Sequence, residues 1–296
     1  MTTPTHATRS RLVAGIAVTL AIGMLAFAQI AFAAGPAPVG LGTAKSFAVL
    51  AGTGITNTGA TTISGDVGSF PTATETGFAT VVLTGTNHHG DAVTQGAKAD
   101  LTTAYNDAAG RTPATAVAGG ILGGKTLVGG VYNAGGKTLD LTGTLTLNGQ
   151  NDPNSVWIFQ ATSDLITASS STVAFVNGGQ PCNVFWQVTS SATLGSGSHF
   201  VGTIMALTSI TMNAGVTLNG RALARNGDVT LINDTITRPA CSGTTGSSSA
   251  SGSVANAALG SSERSEPLGA LLFVVVLIGL LGILATMGVR GARRHT

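Results

Sequence analysis

Carboxylate side chains are the first candidates for chemistry in this chain, and they are spread along it singly. Residues 34–241 contain ten of them: Asp66, Glu75, Asp91, Asp100, Asp107, Asp140, Asp152, Asp164, Asp228 and Asp234. Solenoid enzymes that cleave polysaccharides need converging carboxylates, or one carboxylate with a basic partner or a metal. No such group, and no Gly-x-Ser-x-Gly motif, stands out in the sequence. We therefore predict that the protein is not an enzyme.

Adjacent histidines are the next candidates, here as metal ligands. His88 and His89 are neighbours in sequence, but they belong to no Cys/His cluster with the spacing of a metal site. We interpret them as part of a loop and predict neither a metal nor a cofactor.

Threonine offers a different chemistry, because its methyl group orders nearby water and its hydroxyl anchors that water. Side chains on one strand face repeat about every 6.6 to 6.8 Å, and neighbouring strands lie about 4.7 to 4.9 Å apart. A flat sheet face of threonines is therefore a rigid lattice that can hold water in ice-like positions. The alternative interpretation is that threonine is frequent only because it favours strands.

A repeat places such threonines on stacked coils. Thr193-Leu194, Thr211-Met212 and Thr230-Leu231 recur at intervals of 18 and 19 residues, and Phe200, Leu218 and Ile236 recur at intervals of 18. Gly202 and Gly220 follow the same spacing. A period near 20 residues with strand-forming chemistry predicts a β-solenoid, in which like positions align from coil to coil.

Aromatic residues recur in a second, looser repeat. The segment that contains Trp157 and Phe159 resembles the one that contains Phe185 and Trp186. We interpret both segments as core-facing strands and the two tryptophans as core residues.

One segment departs from the β pattern. From Asp91 to Ala109 the small and apolar residues recur at helical spacing, and Gly110 and Pro113 follow as stop signals. The pattern predicts one amphipathic helix that packs along a side of the solenoid.

Both ends of the chain predict export and membrane attachment. Residues 1–33 have the basic start, apolar stretch and Ala31-Phe32-Ala33 site of a signal peptide, with an uncleaved anchor as the alternative. Residues 242–267 are a Ser/Gly-rich spacer, residues 268–289 an apolar transmembrane helix, and residues 290–296 a basic cytoplasmic tail. We expect the main domain, residues 34–241, to be extracellular.

Cys182 and Cys241 both lie in that exported part. In an oxidising compartment they are a candidate disulfide, with two free thiols as the alternative.

Charge excludes one class of partner. Residues 34–241 carry eight lysines and arginines against ten carboxylates, a net charge of −2. Nucleic-acid binding requires a dense basic surface, so we predict no nucleic-acid partner.

Several motifs resemble the ice-binding-protein-like family of antifreeze-type β-solenoids, in a bacterial secreted or cell-surface form. They extend over residues 41–237 in the family's order: Phe47-Ala48-Val49-Leu50-Ala51-Gly52, Ile63-Ser64-Gly65-Asp66-Val67-Gly68, Ala99-Asp100-Leu101 with Tyr105, Gly129-Gly130-Val131-Tyr132, Val156-Trp157-Ile158-Phe159-Gln160, Cys182-Asn183-Val184-Phe185-Trp186-Gln187-Val188 and Asn219-Gly220-Arg221-Ala222-Leu223-Ala224. The resemblance implies a mainly β protein, a right-handed three-faced β-solenoid with one long helix beside it. It also implies binding to ice through a flat face.

Members of that family often carry a short signature of Thr, Ala or Gly, any residue, and then Thr or Asn. Three segments fit it and give the candidate ice-binding residues Thr53, Thr56, Thr58, Thr61, Thr84 and Asn87. The predicted function is adsorption to an ice surface and its ordered water by a protein that a C-terminal helix holds to the membrane. The alternatives are a cell-surface adhesin or envelope-structural solenoid without ice activity and, further away, a polysaccharide-active solenoid enzyme.

Overall fold

The structure, a computed structural model, describes residues 35–241. These residues form 21 short strands and one α-helix, α1 (Ala92–Gly110), which makes the protein mainly β. The named strand pairs are parallel, and strands pair with the equivalent strand of a neighbouring coil. This is the stacked-coil arrangement that the repeat predicts. The right-handed sense of winding stays a prediction.

Three ladders of paired strands make three faces. The helix face lies beneath α1 and contains β4 (Asp66–Ser69), β1 (Phe47–Ala51), the second halves of β19 (Thr217–Ala224) and β17 (His199–Ala206), β15 (Val184–Val188), β12 (Trp157–Ala161), β9 (Gly130–Asn133) and β7 (Thr115–Ala116). Its central strands β1, β12 and β15 are buried at every residue. This face therefore presents little surface to a ligand.

The second ladder, which we call the ladder face, has seven strands. In order they are β10 (Leu139–Leu141), β13 (Leu165–Thr167), β16 (Ala192–Leu194), β18 (Ile210–Met212), β20 (Val229–Ile232), β2 (Ile55–Thr58) and β5 (Glu75–Thr76). Along these strands a buried apolar residue alternates with one that points outward, as in β2 and β18.

The third ladder, the two-column face, has two outward positions on most strands. It contains β8 (Thr126–Val128), β11 (Thr144–Asn148), β14 (Thr172–Val176), the first halves of β17 and β19, β21 (Thr235–Thr237), β3 (Thr62–Ser64) and β6 (Val82–Thr84). In one column lie Thr144, Thr172, His199, Thr217, Thr235, Thr62 and Val82, and in the other Thr126, Thr146, Ala174, Val201, Asn219, Thr237, Ser64 and Thr84.

Glycine lets β17 and β19 pass from the two-column face to the helix face without a break. Gly202 has a φ of 106°, and it pairs with Gly220 on the next strand. A Cβ atom at Gly202 would approach the carbonyl oxygen of Val184 to 2.7 Å. Both the backbone angle and the close approach at this corner thus require glycine.

The coils do not stack in the order of the sequence. The first coil, β1 to β3, pairs with the last strands, β19 to β21, and the second coil, β4 to β6, stacks beyond it. The 19 residues of α1 then carry the chain back along the stack, since a helix of that length spans about 28 Å. The third coil therefore begins near the other end, where β7 and β8 lie.

The helix begins and ends where the sequence predicts, to within one residue. Asp91 is its N-cap, and its side chain accepts a hydrogen bond from the backbone N–H of Thr94 at 2.8 Å. Leu101 and Tyr105 are buried against the helix face. Gln160 of β12 donates to the carbonyls of Ala108 and Arg111, which fixes the last turn to the sheet.

Lys98 gives α1 a second polar attachment. Its Nζ donates to the carbonyls of Ala224 and Arg225 at 2.5 and 2.6 Å, at the end of β19. Burial, with a further contribution from the nearby Arg225, lowers the pKa of Lys98 to about 7. The lysine is thus a structural donor rather than a surface charge.

An aromatic stack fills the interior of the coils. Phe159 and Trp186 lie face to face with ring centroids 4.1 Å apart, and Trp186 contacts Phe200 at 4.8 Å. Trp157 and Trp186 are fully buried, which confirms their interpretation as core residues. Phe159 pairs in register with Trp186, as the looser repeat predicts.

Cys182 and Cys241 form a disulfide, with their Cα atoms 6.1 Å apart. It joins the end of the described chain to the turn that precedes β15. The predicted signal peptide, spacer, transmembrane helix and basic tail lie outside the described residues. Within residues 35–241, no helix is long and apolar enough to cross a membrane.

Candidate functional site

The ladder face carries a row of five threonines, one on each of five neighbouring strands. Thr193 pairs with Thr211, Thr211 with Thr230, Thr230 with Thr56, and Thr56 with Thr76. We call this row the threonine ladder. At a strand spacing of 4.7 to 4.9 Å its four steps extend over about 19 Å.

Buried neighbours hold each strand of the ladder in place. Ile55, Val229 and Ile210 flank their threonines in sequence, pair in register, and point into the core with almost no exposure. A shift of one residue would turn these apolar side chains out to water, so the core fixes the register of the threonines. The lattice of hydroxyls is consequently built before any ligand arrives.

The hydroxyls of the ladder are available to a ligand. Among residues 35–241, no hydrogen bond of the structure uses the hydroxyl of Thr56, Thr76, Thr193 or Thr211. Thr230 donates a long bond of 3.2 Å to Asp228. Because β-branched side chains have few rotamers, these groups are also restricted in direction. The arrangement can anchor ordered water along a line, with a methyl group beside each hydroxyl.

Carboxylates at the margin of the ladder face are occupied by their own turns. Asp228 accepts a hydrogen bond from Ser209 at 2.5 Å. Asp164 accepts hydrogen bonds from Ser190 and from the backbone N–H of Ser191, and these hold the pKa of its carboxyl below the ordinary value. The turn that borders the ladder therefore stays compact rather than offering free charges.

The character of the face changes beyond Thr193. The same column continues through Ile166, Asp140 and Ile121, and the two isoleucines are 42% and 56% exposed. The threonines thus occupy one end of the ladder face, and an apolar strip with one carboxylate occupies the other.

Three of the predicted site residues lie at the ladder face. Thr56 is a member of the threonine ladder, and Thr58 is exposed two residues further along β2, where it pairs with Ile232. Thr53 is exposed in the turn before β2. The structure brings these three together at one edge of the face.

The other three candidates are placed elsewhere. Thr61 is fully buried, and its hydroxyl accepts a hydrogen bond from the backbone N–H of Asp234, so its prediction as a surface contact is wrong. Thr84 is exposed but lies on β6 of the two-column face. Asn87 donates to Glu75 at 2.6 Å and accepts from the backbone of His89, which leaves its side chain engaged within the protein.

Four ladder residues were not among the predicted site residues: Thr76, Thr193, Thr211 and Thr230. The signature selects residues three apart in sequence, whereas the ladder is built from residues one coil apart. The intervals of 18 and 19 residues contained the necessary information for Thr193, Thr211 and Thr230, because a repeat of one coil places like residues side by side. Thr76 had no such signal, since its coil is out of sequence order.

The two histidines take part in loop contacts. His88 Nδ1 lies 3.0 Å from Asp91 Oδ2, and His89 Nδ1 lies 3.0 Å from Glu75 Oε2. In the part of the chain that the structure describes, no three His, Cys, Asp or Glu side chains form a group that could hold a metal ion.

Comparison with known proteins agrees with this geometry. A family model described as "Ice-binding-like" matches residues 49–237. The chain belongs to the ice-binding-like family. An ice-binding protein of Nostoc sp. (strain HG1) is 46% identical over 192 residues, which are 64% of this chain and 71% of that protein. One of Flavobacterium frigoris (strain PS1) is 37% identical, covering 68% and 76%.

Solved structures of the family share the architecture. An ice-binding protein from an Antarctic biological consortium aligns with a TM-score of 0.67 and 42% identity, over 69% of this chain and 92% of that chain. One from the Antarctic ascomycete Antarctomyces psychrotrophicus aligns with a TM-score of 0.65 and 41% identity, over 69% and 100%. The family resemblance in the sequence and the mainly β fold with one helix are confirmed.

Proposed function

We propose that this protein binds ice and restrains its growth through the ladder face. The observation that carries the proposal is the threonine ladder, with five threonines in register and hydroxyls turned to solvent. Membership of the ice-binding-like family and relatives named as ice-binding proteins support ice as the ligand. Thr53 and Thr58 extend the proposed contact beside Thr56.

Binding by such a face rests on many weak contacts made at once. Each hydroxyl replaces a hydrogen bond to liquid water by one to ordered water, a net gain of only about 0.5 to 1.5 kcal/mol. The sum is useful because the side chains are already held in register and lose little conformational entropy on binding. The proposal assigns the protein no catalytic role, no cofactor and no nucleic-acid partner.

Ice crystals grown with the purified domain test the function directly. Residues 35–241 contain all of the described strands and the disulfide, and are suitable for this purpose. We expect single crystals to become faceted and a gap to open between the melting and freezing temperatures. Round crystals that grow unhindered at high protein concentration would contradict ice binding and favour a surface adhesin or envelope-structural role.

We also propose that the domain is exported and held at the cell membrane. The signal-peptide pattern of residues 1–33 and the apolar stretch of residues 268–289 with its basic flank support this proposal. Protease treatment of intact cells should release a soluble fragment that ends in the Ser/Gly-rich segment 242–267. Complete protection of the domain from protease would count against an extracellular location.

A further inference from the structure

The two-column face contains a compact block of polar, uncharged side chains that the ladder face does not explain. Thr217, Thr235 and Thr62 pair in register in one column, and Asn219, Thr237 and Ser64 pair beside them. We call these six residues the hydroxyl block. Ser64 is half-buried and the other five are exposed.

The block is a lattice in two directions. Neighbouring strands set one spacing of about 4.7 to 4.9 Å, and alternate residues of each strand set the other, about 6.6 to 6.8 Å. The threonine ladder repeats mainly in the first direction, because its strands have one outward threonine each. The hydroxyl block is therefore the more complete two-dimensional array of the two.

The side chains of the block are free of internal partners. Within residues 35–241, no hydrogen bond of the structure uses a side-chain polar atom of these six residues. Their inward neighbours Leu218, Ile236 and Ile63 pair in register and are fully buried, so the core already fixes the strands. The outward residues are then not needed to hold the coils together, and their choice reflects what lies outside.

Charge is also kept away from this surface. None of the 15 outward positions of the two-column face listed for its strands is Lys, Arg, Asp or Glu, and His199 alone is ionisable near neutral pH. A preference of threonine for strands accounts for threonine over alanine, but not for the absence of lysine or glutamate on an exposed strand. A neutral array of hydroxyls suits ordered water rather than a charged ligand.

Short bonded turns join this face to the ladder face. Between β2 and β3, the backbone N–H of Ala60 donates to Asn233 at 2.8 Å. Next to it, Asp234 donates its backbone N–H to Thr61, and its side chain accepts from Val216 at 2.9 Å. Burial raises the pKa of Asp234 to about 7, against the effect of these backbone bonds. The buried bonds hold the two faces at a fixed angle.

We propose that the hydroxyl block is a second ice-adsorbing surface, so that one molecule presents two ice-contacting faces on adjoining sides of the same coils. This inference rests on the proposed function, because it assigns the same ligand to a second site. A rigid pair of faces contacts two different sets of ice planes, which one flat face cannot do.

Fluorescently labelled domain adsorbed to a single-crystal ice hemisphere tests the inference. The parent domain should mark two families of planes. Thr211→Lys with Thr230→Lys should erase one family and leave the other, whereas Thr217→Lys with Thr235→Lys should erase the family that the first variant keeps. The combined variant should mark no plane. Gln95→Lys with Thr103→Lys adds the same charge on the exposed side of α1 and should leave both families.

The conservative pair Thr217→Val and Thr235→Val guards against loss of folding. It removes two hydroxyls but keeps the branched shape, and it should still weaken the marking of the second family. If the ladder variant alone erases all marking, the second surface is refuted while ice binding by the ladder face stands. If the parent domain marks no plane, the proposed function itself fails, and the inference fails with it.

Discussion

Replacing Thr211 and Thr230 with lysine should raise the protein concentration needed for a given freezing gap by roughly ten- to hundred-fold. The two residues occupy neighbouring rungs at the middle of the threonine ladder. Losing two contacts of about 0.5 to 1.5 kcal/mol each weakens adsorption by about 1 to 3 kcal/mol, and every 1.4 kcal/mol is a factor of ten. The long charged side chains also hold the remaining rungs away from the ice. The activity that is left measures the contribution of the two-column face.

Two matched variants separate the causes of that loss. Thr211→Val with Thr230→Val keeps the methyl groups and removes only the hydroxyls, so a smaller loss is expected than with lysine. Gln95→Lys with Thr103→Lys adds the same charge far from the ladder face and should leave the gap unchanged. A ladder variant with the full freezing gap and an intact fold would show that ice is bound by another surface.

The sequence was most informative where neighbours in sequence become neighbours in space. The coil repeat aligned Thr193, Thr211 and Thr230, and the same three residues pair in the structure. The helix was equally accessible, because its spacing and its cap are local features. Local chemistry therefore predicted the kind of fold, the helix bounds and the core role of both tryptophans.

The order of the coils could not be read in this way. The first coil pairs with the last one, so Thr56 lies beside Thr230 although 174 positions separate them in the sequence. A repeat found within the C-terminal part gives no information about a partner so distant. This is why Thr56 was predicted from a family signature, whereas the ladder that gives it meaning appeared only in the structure.

Thr61 shows a second limit of the sequence. The signature treats Thr58 and Thr61 alike, but Thr58 lies on the strand and Thr61 lies in the turn that follows it. Threonine serves equally as an outward lattice residue and as a buried partner for a backbone N–H, and composition does not distinguish the two. Only the position of the turn decides which role applies.

Replacing Trp186 with alanine is expected to lower the free energy of unfolding by about 3 to 5 kcal/mol. Trp186 is fully buried between Phe159 and Phe200, so alanine leaves a cavity that the stacked coils on both sides cannot close. Its indole N–H also donates to the carbonyl of Val201 at 2.9 Å, and that buried acceptor would lose its partner.

Urea unfolding followed by the fluorescence of the remaining Trp157 measures this effect. Trp186→Phe keeps an aromatic ring in the stack and should cost less, while Val82→Ala removes methyl groups from a side chain that is 61% exposed and should change little. Well below the unfolding midpoint, the alanine variant should keep most of its freezing gap, because no ladder hydroxyl is touched. A stability equal to that of the parent would mean that the aromatic stack does not hold the coils together, and a lost gap in a fully folded variant would mean that the core also sets the register of the threonines.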